Sequence, residues 1–171
     1  SQLMPVYVEA AKKLVNSNSN RYFLIPAANQ KLAEMIHSTR GINEIPYRLC
    51  IDSAQDFLSL SSISIVTSGT ASLEATVLGS VPIICYKTNK INYEILSRLI
   101  RTPFVGLPNI LLQEHIFPEL IQHDLTPDSI FDSFSKISSK PKFYKSHLSE
   151  INNSIRGEGF DVAAKVIKNL L

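Results

Sequence analysis

Strand-length apolar runs alternate with helical stretches across the first hundred residues, and few architectures accept that order. The runs are Arg21–Ala28 (around Tyr-Phe-Leu-Ile, closed by Pro26), Tyr47–Ile51, Ile63–Thr67 and Val81–Tyr86. The stretches between them carry helical spacing. Residues 4–16 place Met4, Tyr7, Val8, Ala11, Leu14 and Val15 on one face, with Pro5 tolerable in the first turn. Residues 29–40 read as a helix stopped by Gly41, residues 53–60 as a short helix, and residues 70–78 as one closed by Gly79. Residues 90–101 align Ile91, Ile95 and Leu99, with Glu94 and Arg98 paired one turn apart. The strands are continuously apolar, not alternating, which marks a parallel sheet covered on both faces. The chain opens on a helix where a doubly wound domain opens on a strand, so a preceding strand is expected ahead of residue 1.

The last third differs. Residues 127–137, 141–155 and 160–171 read as helices with no strand between them, the final one aligning Phe160, Ala163, Ala164, Ile167 and Leu171. Ser138-Ser139-Lys140-Pro141 is the candidate hinge. With 44% hydrophobic and 19% charged residues in 171, the chain reads as one globular α/β domain. A net charge of +2 does not point to nucleic acid. Cys50 and Cys85 sit in apolar runs without CxxC spacing and read as reduced core thiols. The longest apolar runs are strand-sized and residue 1 opens no signal peptide, so a soluble or peripheral protein is expected.

Several chemistries are unsupported. His37, His115, His123 and His147 show no HxH or HExxH spacing, so no metal is expected. There is no GxSxG elbow, no GxxxxGK[ST] loop and no GxGxxG turn. The informative stretch is Thr67-Ser68-Gly69-Thr70-Ala71-Ser72-Leu73-Glu74, which leaves an apolar strand and enters a helix. A helix start offers unpaired N–H groups and the positive end of the dipole, and so attracts phosphate. Gly69 permits close approach, and Ser68 and Thr70 add hydroxyls. Glu74 lies one turn beyond Thr70, where a carboxylate could accept hydrogen bonds from a ribose diol. The blander alternative is a Ser/Thr cap followed by a solvated Glu. A second stretch, Gly106-Leu107-Pro108-Asn109, puts an amide after a proline on an expected loop, as a ligand group or a turn residue.

Taken in order, Ser68-Gly69-Thr70-Ala71-Ser72-Leu73-Glu74, Val81-Pro82, Tyr86, Leu99 to Arg101, Leu107-Pro108-Asn109 and Pro118-Glu119-Leu120-Ile121-Gln122 resemble the lipid-A-disaccharide synthase family, as does Pro26-Ala27-Ala28-Asn29. The resemblance runs from about residue 3 to residue 167. It implies the C-terminal, nucleotide-binding half of a GT-B glycosyltransferase: a Rossmann-like parallel sheet flanked by helices, with an α-helical C-terminal tail. Residues 1–140 would form the UDP-sugar-binding domain, lacking its first strand and loop. Residues 141–171 would pack on a missing N-terminal half or exchange between the subunits of a homodimer. The implied enzyme is an inverting hexosyltransferase of lipid A biosynthesis without metal or other cofactor. It moves 2,3-diacylglucosamine from its UDP donor to 2,3-diacylglucosamine 1-phosphate, on the cytoplasmic face of the bacterial inner membrane.

By the same resemblance Ser68, Gly69 and Thr70 cradle the diphosphate and Glu74 holds the ribose, with Asn109, Glu119 and Gln122 as further donor-site candidates. No catalytic residue falls in this chain; the base is expected in the other half, and the fragment alone is expected to be inactive. Two departures stand out. The family's Gly-Ser-Arg loop, which precedes the opening helix, is not in this sequence. Where the family follows Leu-Pro-Asn with a small residue, a glycine and a basic residue, this chain has Leu112, Gln113 and Glu114. Lys87, Lys90, Arg98 and Arg101 form a basic set that could meet anionic headgroups or simply face solvent. Two other readings remain open: a relative of UDP-N-acetylglucosamine 2-epimerase, and a noncatalytic sugar-nucleotide-binding module.

Overall fold

The computed structural model describes residues 3–67, 69–87 and 104–168, with side chains described as far as residue 155. The expected helix at 90–101, its basic residues Lys90, Arg98 and Arg101, Ser68, and the side chains of Phe160 to Leu171 lie outside the described residues.

The described elements run α1 (Met4–Ser17), β1 (Phe23–Ala27), α2 (Gln30–His37), β2 (Tyr47–Ile51), α3 (Ala54–Leu60), β3 (Ile63–Thr67), α4 (Thr70–Val77), β4 (Val81–Tyr86), α5 (Leu107–Leu112), β5 (Glu119–Ile121), α6 (Pro127–Ser139) and α7 (Pro141–Lys168). Short 3-10 turns occupy Ile42–Glu44 and Gln122–Asp124. Among the described residues all strand pairing is parallel, as the continuous apolar runs predict, but it forms two sheets: β1–β2 and β3–β4–β5.

β4 explains the apolar run best. It is paired on both edges, and Val81 to Cys85 are all buried. Pro82 does not disrupt it: Val81 donates to Ser62 O and Ile84 to Pro118 O, so Pro82 faces the β5 side two residues before β5 begins. Around β3–β4–β5 the core gathers Ala75 of α4, Phe117, Leu125, Ile130 and Ile137 of α6, and Tyr144, Leu148 and Ile151 of α7. A smaller core joins Ala27, Ala33, Ile36, Ile42 and Ile45 around β1–β2. α1 belongs to both. Met4, Val8, Ala11 and Val15 face the smaller core, while Leu3, Val6, Tyr7 and Ala10 face the larger. These are adjacent stripes of one helix, so α1 straddles the seam between the sheets.

Three local expectations change. α2 ends at His37, short of Gly41, because the Ser38 and Thr39 hydroxyls both turn back onto Met35 O and compete with the backbone. The segment read as a loop around Asn109 is the short helix α5, followed by a strand, β5, that its length of three residues hid. α7 runs unbroken from Pro141 to Lys168 instead of stopping at residue 155. Gly157 and Gly159 each cost about 1 kcal/mol in a helix, but extending an existing helix avoids the cost of a new nucleus.

Candidate functional site

The C-terminal ends of the larger sheet form one rim. Register sets Thr67 of β3 beside Cys85 of β4, and Cys85 beside Leu120 of β5. The segments leaving these strands therefore emerge on the same side: Gly69-Thr70 after β3, Lys87 after β4, Gln122 after β5. In open parallel sheets this rim is where ligands bind.

Gly69 takes φ 98 and ψ −146, a left-handed backbone conformation that suits glycine, and a Cβ there would meet only open space. It turns the chain sharply from β3 into α4. The first turn of α4 closes on Gly69 O, which accepts from the Ser72 N–H (3.2 Å) and Ser72 Oγ (2.8 Å). Among the described residues no side chain caps the helix, so its leading N–H groups face the rim beside exposed Thr70. Glu74 is half-buried one turn on; its Oε1 accepts from Gln55 Nε2 of α3 at 2.9 Å. Glu74 thus leans toward α3, and Gln55 is a neighbour that no motif in the sequence marks.

Asn109 and Glu119 do something different from what the expected loop suggests. Asn109 is completely buried. Its Oδ1 accepts from the N–H groups of Ile116 (3.1 Å) and Phe117 (2.9 Å), and its Nδ2 donates to Phe117 O and Glu119 Oε1, both at 2.8 Å. The amide's capacity is filled within the chain. Glu119 also accepts from the N–H groups of Val105 and Gly106, each at 2.9 Å. The pair therefore clamps the turn into α5 against the start of β5, the end of that strand away from the rim. Gly106 fits this clamp because a Cβ would press on Ile84 and Glu119. Gln122 begins the turn after β5 in a left-handed conformation, φ 53, on the rim. A cavity of about 250 Å³ between β5 and α6 includes Glu119, Asp132 and Lys136 in its lining, and none of Gly69, Thr70 and Glu74.

Beneath the rim, the Tyr7 hydroxyl is enclosed beside Thr67 and Cys85 without a hydrogen bond of ordinary geometry. Burial pushes its pKa well up, with the Cys85 thiol adding to the shift. Burial likewise pushes the Cys85 thiol up to about 12, so it stays protonated and inert. Cys50 is half-buried, less enclosed than its apolar run suggests. Among the described residues no cluster of His, Cys, Asp and Glu could hold a metal ion, and no helix is long and apolar enough to cross a membrane.

Parallel strands alternating with helices, with a glycine-turned helix start on the strand C-terminal rim, define the Rossmann-like class of α/β proteins. Within that class the chain belongs to the lipid-A-disaccharide synthetase family, whose sequence profile matches residues 1–162. It is 29% identical to the lipid-A-disaccharide synthase of Dechloromonas aromatica (strain RCB), over 98% of this chain and 46% of that protein. It is 34% identical to that of Azoarcus sp. (strain BH72), over 77% of this chain and 34% of the relative. For Alcanivorax borkumensis (strain ATCC 700651 / DSM 11573 / NCIMB 13689 / SK2) the identity is 28%, over 99% and 45%. The chain spans less than half the length of these curated relatives.

Proposed function

We propose that this chain is the sugar-nucleotide-binding half of a lipid-A-disaccharide synthase. The whole enzyme would transfer 2,3-diacylglucosamine from UDP to 2,3-diacylglucosamine 1-phosphate. An acceptor hydroxyl oxygen attacks the anomeric carbon, the bond from that carbon to the diphosphate oxygen breaks, and UDP leaves with the electron pair. The products are the β-1,6-linked disaccharide 1-phosphate and UDP. A base must take the acceptor's proton; that role is assigned to the half of the enzyme outside this chain.

The observation that carries this reading is the uncapped start of α4 on the strand rim, opened by Gly69, with a carboxylate one turn along. Aligned N–H groups there would hold the diphosphate and stabilise charge as UDP departs. Ser68 and Thr70 would add hydroxyls, and Glu74 would grip the ribose, exchanging its bond to Gln55 for the sugar hydroxyls. Gln122, on the same rim, is the third-strand candidate for the donor. Asn109 and Glu119 fit the donor site best as the clamp that fixes the loop leading into α5. The distal part of α7 would pack on the other half or on a second subunit, at the cytoplasmic surface of the inner membrane.

Isothermal titration with UDP tests the site. Glu74→Ala should weaken binding by about 1–3 kcal/mol, or roughly fivefold to 150-fold, if the carboxylate holds the ribose. An unchanged isotherm would remove Glu74 from the site.

A further inference from the structure

The corner between α6 and α7 concentrates positive charge. Residues 133–149 hold Lys136, Lys140, Lys142 and Lys145 and no acid, a charge of +4 in a chain whose net charge is +2. The rest of the chain is therefore net negative, and the basic patch is local. All four lysines are exposed. Among the described residues none of them meets a carboxylate, whereas Lys12 pairs with Glu9 and Glu44, and Lys13 with Asp128. Lys136 also lines the cavity beside the start of β5, so the corner sits at the end of the sheet away from the donor rim.

Local stability does not account for these charges. The first turn of α7 carries no acid. Lys140 and Lys142 stand at that helix start, where the positive end of the dipole disfavours cations. α7 is held instead by Tyr144, Leu148 and Ile151, which pack into the larger core. That packing fixes what the corner presents. Tyr144 is 1% exposed, while Phe143 beside it is 45% exposed among the lysines, its ring 4.5 Å from that of His147. Pro141 to Lys145 rise about 6 Å along the helix, less than the screening length of about 8 Å at physiological salt. Lys140, Lys142, Lys145 and the positive helix end therefore act together on any surface that the corner meets.

We propose that the α6–α7 corner is a docking surface for a membrane carrying anionic lipid. Lys140, Lys142 and Lys145 meet the phosphate headgroups, with Lys136 behind them, and Phe143 enters the boundary between headgroups and acyl chains. The exposed aromatic ring among the lysines favours lipid over an acidic polypeptide, because a bilayer offers an apolar layer beneath its charge. Each lysine near the surface contributes about fivefold in affinity, so the contact is reversible and sensitive to salt. The inference names a contact for the membrane location proposed above and rests on that location. It does not rest on the donor site, which lies at the other end of the sheet.

Co-sedimentation of the 171-residue chain with lipid vesicles tests it. Vesicles of phosphatidylglycerol and phosphatidylcholine in equal parts should bind the chain at low salt, and about 0.5 M salt should release it. Phosphatidylcholine alone should not bind. Lys140→Glu, Lys142→Glu and Lys145→Glu together should weaken binding by about a hundredfold or more. Glutamate at a helix start suits the dipole, so the circular dichroism spectrum should be unchanged. Phe143→Ser, a separate variant, should weaken binding by about tenfold and keep the salt dependence. No vesicle binding by the parent chain would overturn the proposal, as would binding that survives the triple substitution in a folded protein. Loss of binding on Lys87→Glu instead would move the contact to the rim and overturn it too. Polyglutamate bound as tightly as the vesicles, with no effect of Phe143→Ser, would assign the patch to an acidic protein partner and overturn the lipid. A chain that binds these vesicles but not UDP would count against the donor site alone.

Discussion

Asn109 shows how one residue's neighbours decide its role. In the sequence it follows a proline and reads as a loop amide open to a ligand. In the fold it accepts from the buried N–H groups of Ile116, which also reaches Glu114 O, and Phe117, and it donates to Phe117 O and Glu119. Asn109→Ala should therefore cost about 1–3 kcal/mol, since it orphans the buried Phe117 N–H. The check is a urea melt, where the midpoint should fall while Glu74→Ala leaves it nearly unchanged. Cys85 makes a prediction in pH. Its thiol ionises near 9.0 when unfolded and near 12 when buried. Below pH 9 both states hold the proton and stability does not depend on it. Above pH 9 the unfolded chain releases the proton first, so stability falls, by up to about 1.4 kcal/mol per pH unit. Cys85→Ala should reduce the loss of stability between pH 8 and pH 10.5, measured by denaturant titration; an identical loss in both proteins would contradict it.

At the scale of elements, ends matter more than interiors. α6 starts with a capping box: Thr126 Oγ1 accepts from Ser129 N–H at 3.1 Å, and Ser129 Oγ accepts from Thr126 N–H at 3.0 Å. The sequence shows Thr-Pro-Asp-Ser there, and the start at residue 127 was readable from it. Thr126→Ala should cost about 1 kcal/mol and lower the melting temperature by about 2–4 °C, seen by circular dichroism. The end of α2 was not readable, because Gly41 is the stronger stop signal in the sequence. The nearer stop comes from two hydroxyls folding back onto Met35 O. β5 was missed because a three-residue strand carries too little periodicity; its existence depends on β4 offering an edge.

The described residues form two half-sheets held side by side by α1 and α3, with the first half of α7 locked into the larger core by Tyr144, Leu148 and Ile151. That anchoring bears on subunit exchange. If residues 156–171 reach across to another chain, light scattering should show a dimer, and proteolysis should cut the tail only on dilution. A monodisperse monomer with a protected tail would argue against exchange. The parallel topology, the alternation of helices and strands from α1 to β4, and the family were legible in advance because continuous apolar runs and the ordered motifs are local properties of the chain. The division into two sheets was not, because it depends on which strand edges find partners.

The sequence by itself determined the α/β alternation, the apolar runs of the strands, and the glycine at position 69 that lets the chain turn into α4. Those follow from side-chain chemistry and backbone sterics within a few residues. Only the tertiary structure decided that Asn109 and Glu119 spend their hydrogen bonds inside the protein, that Glu74 meets Gln55, and that a seam lies between β1 and β3. Each of these requires groups far apart in sequence to meet, and a residue's own type does not specify its distant partner.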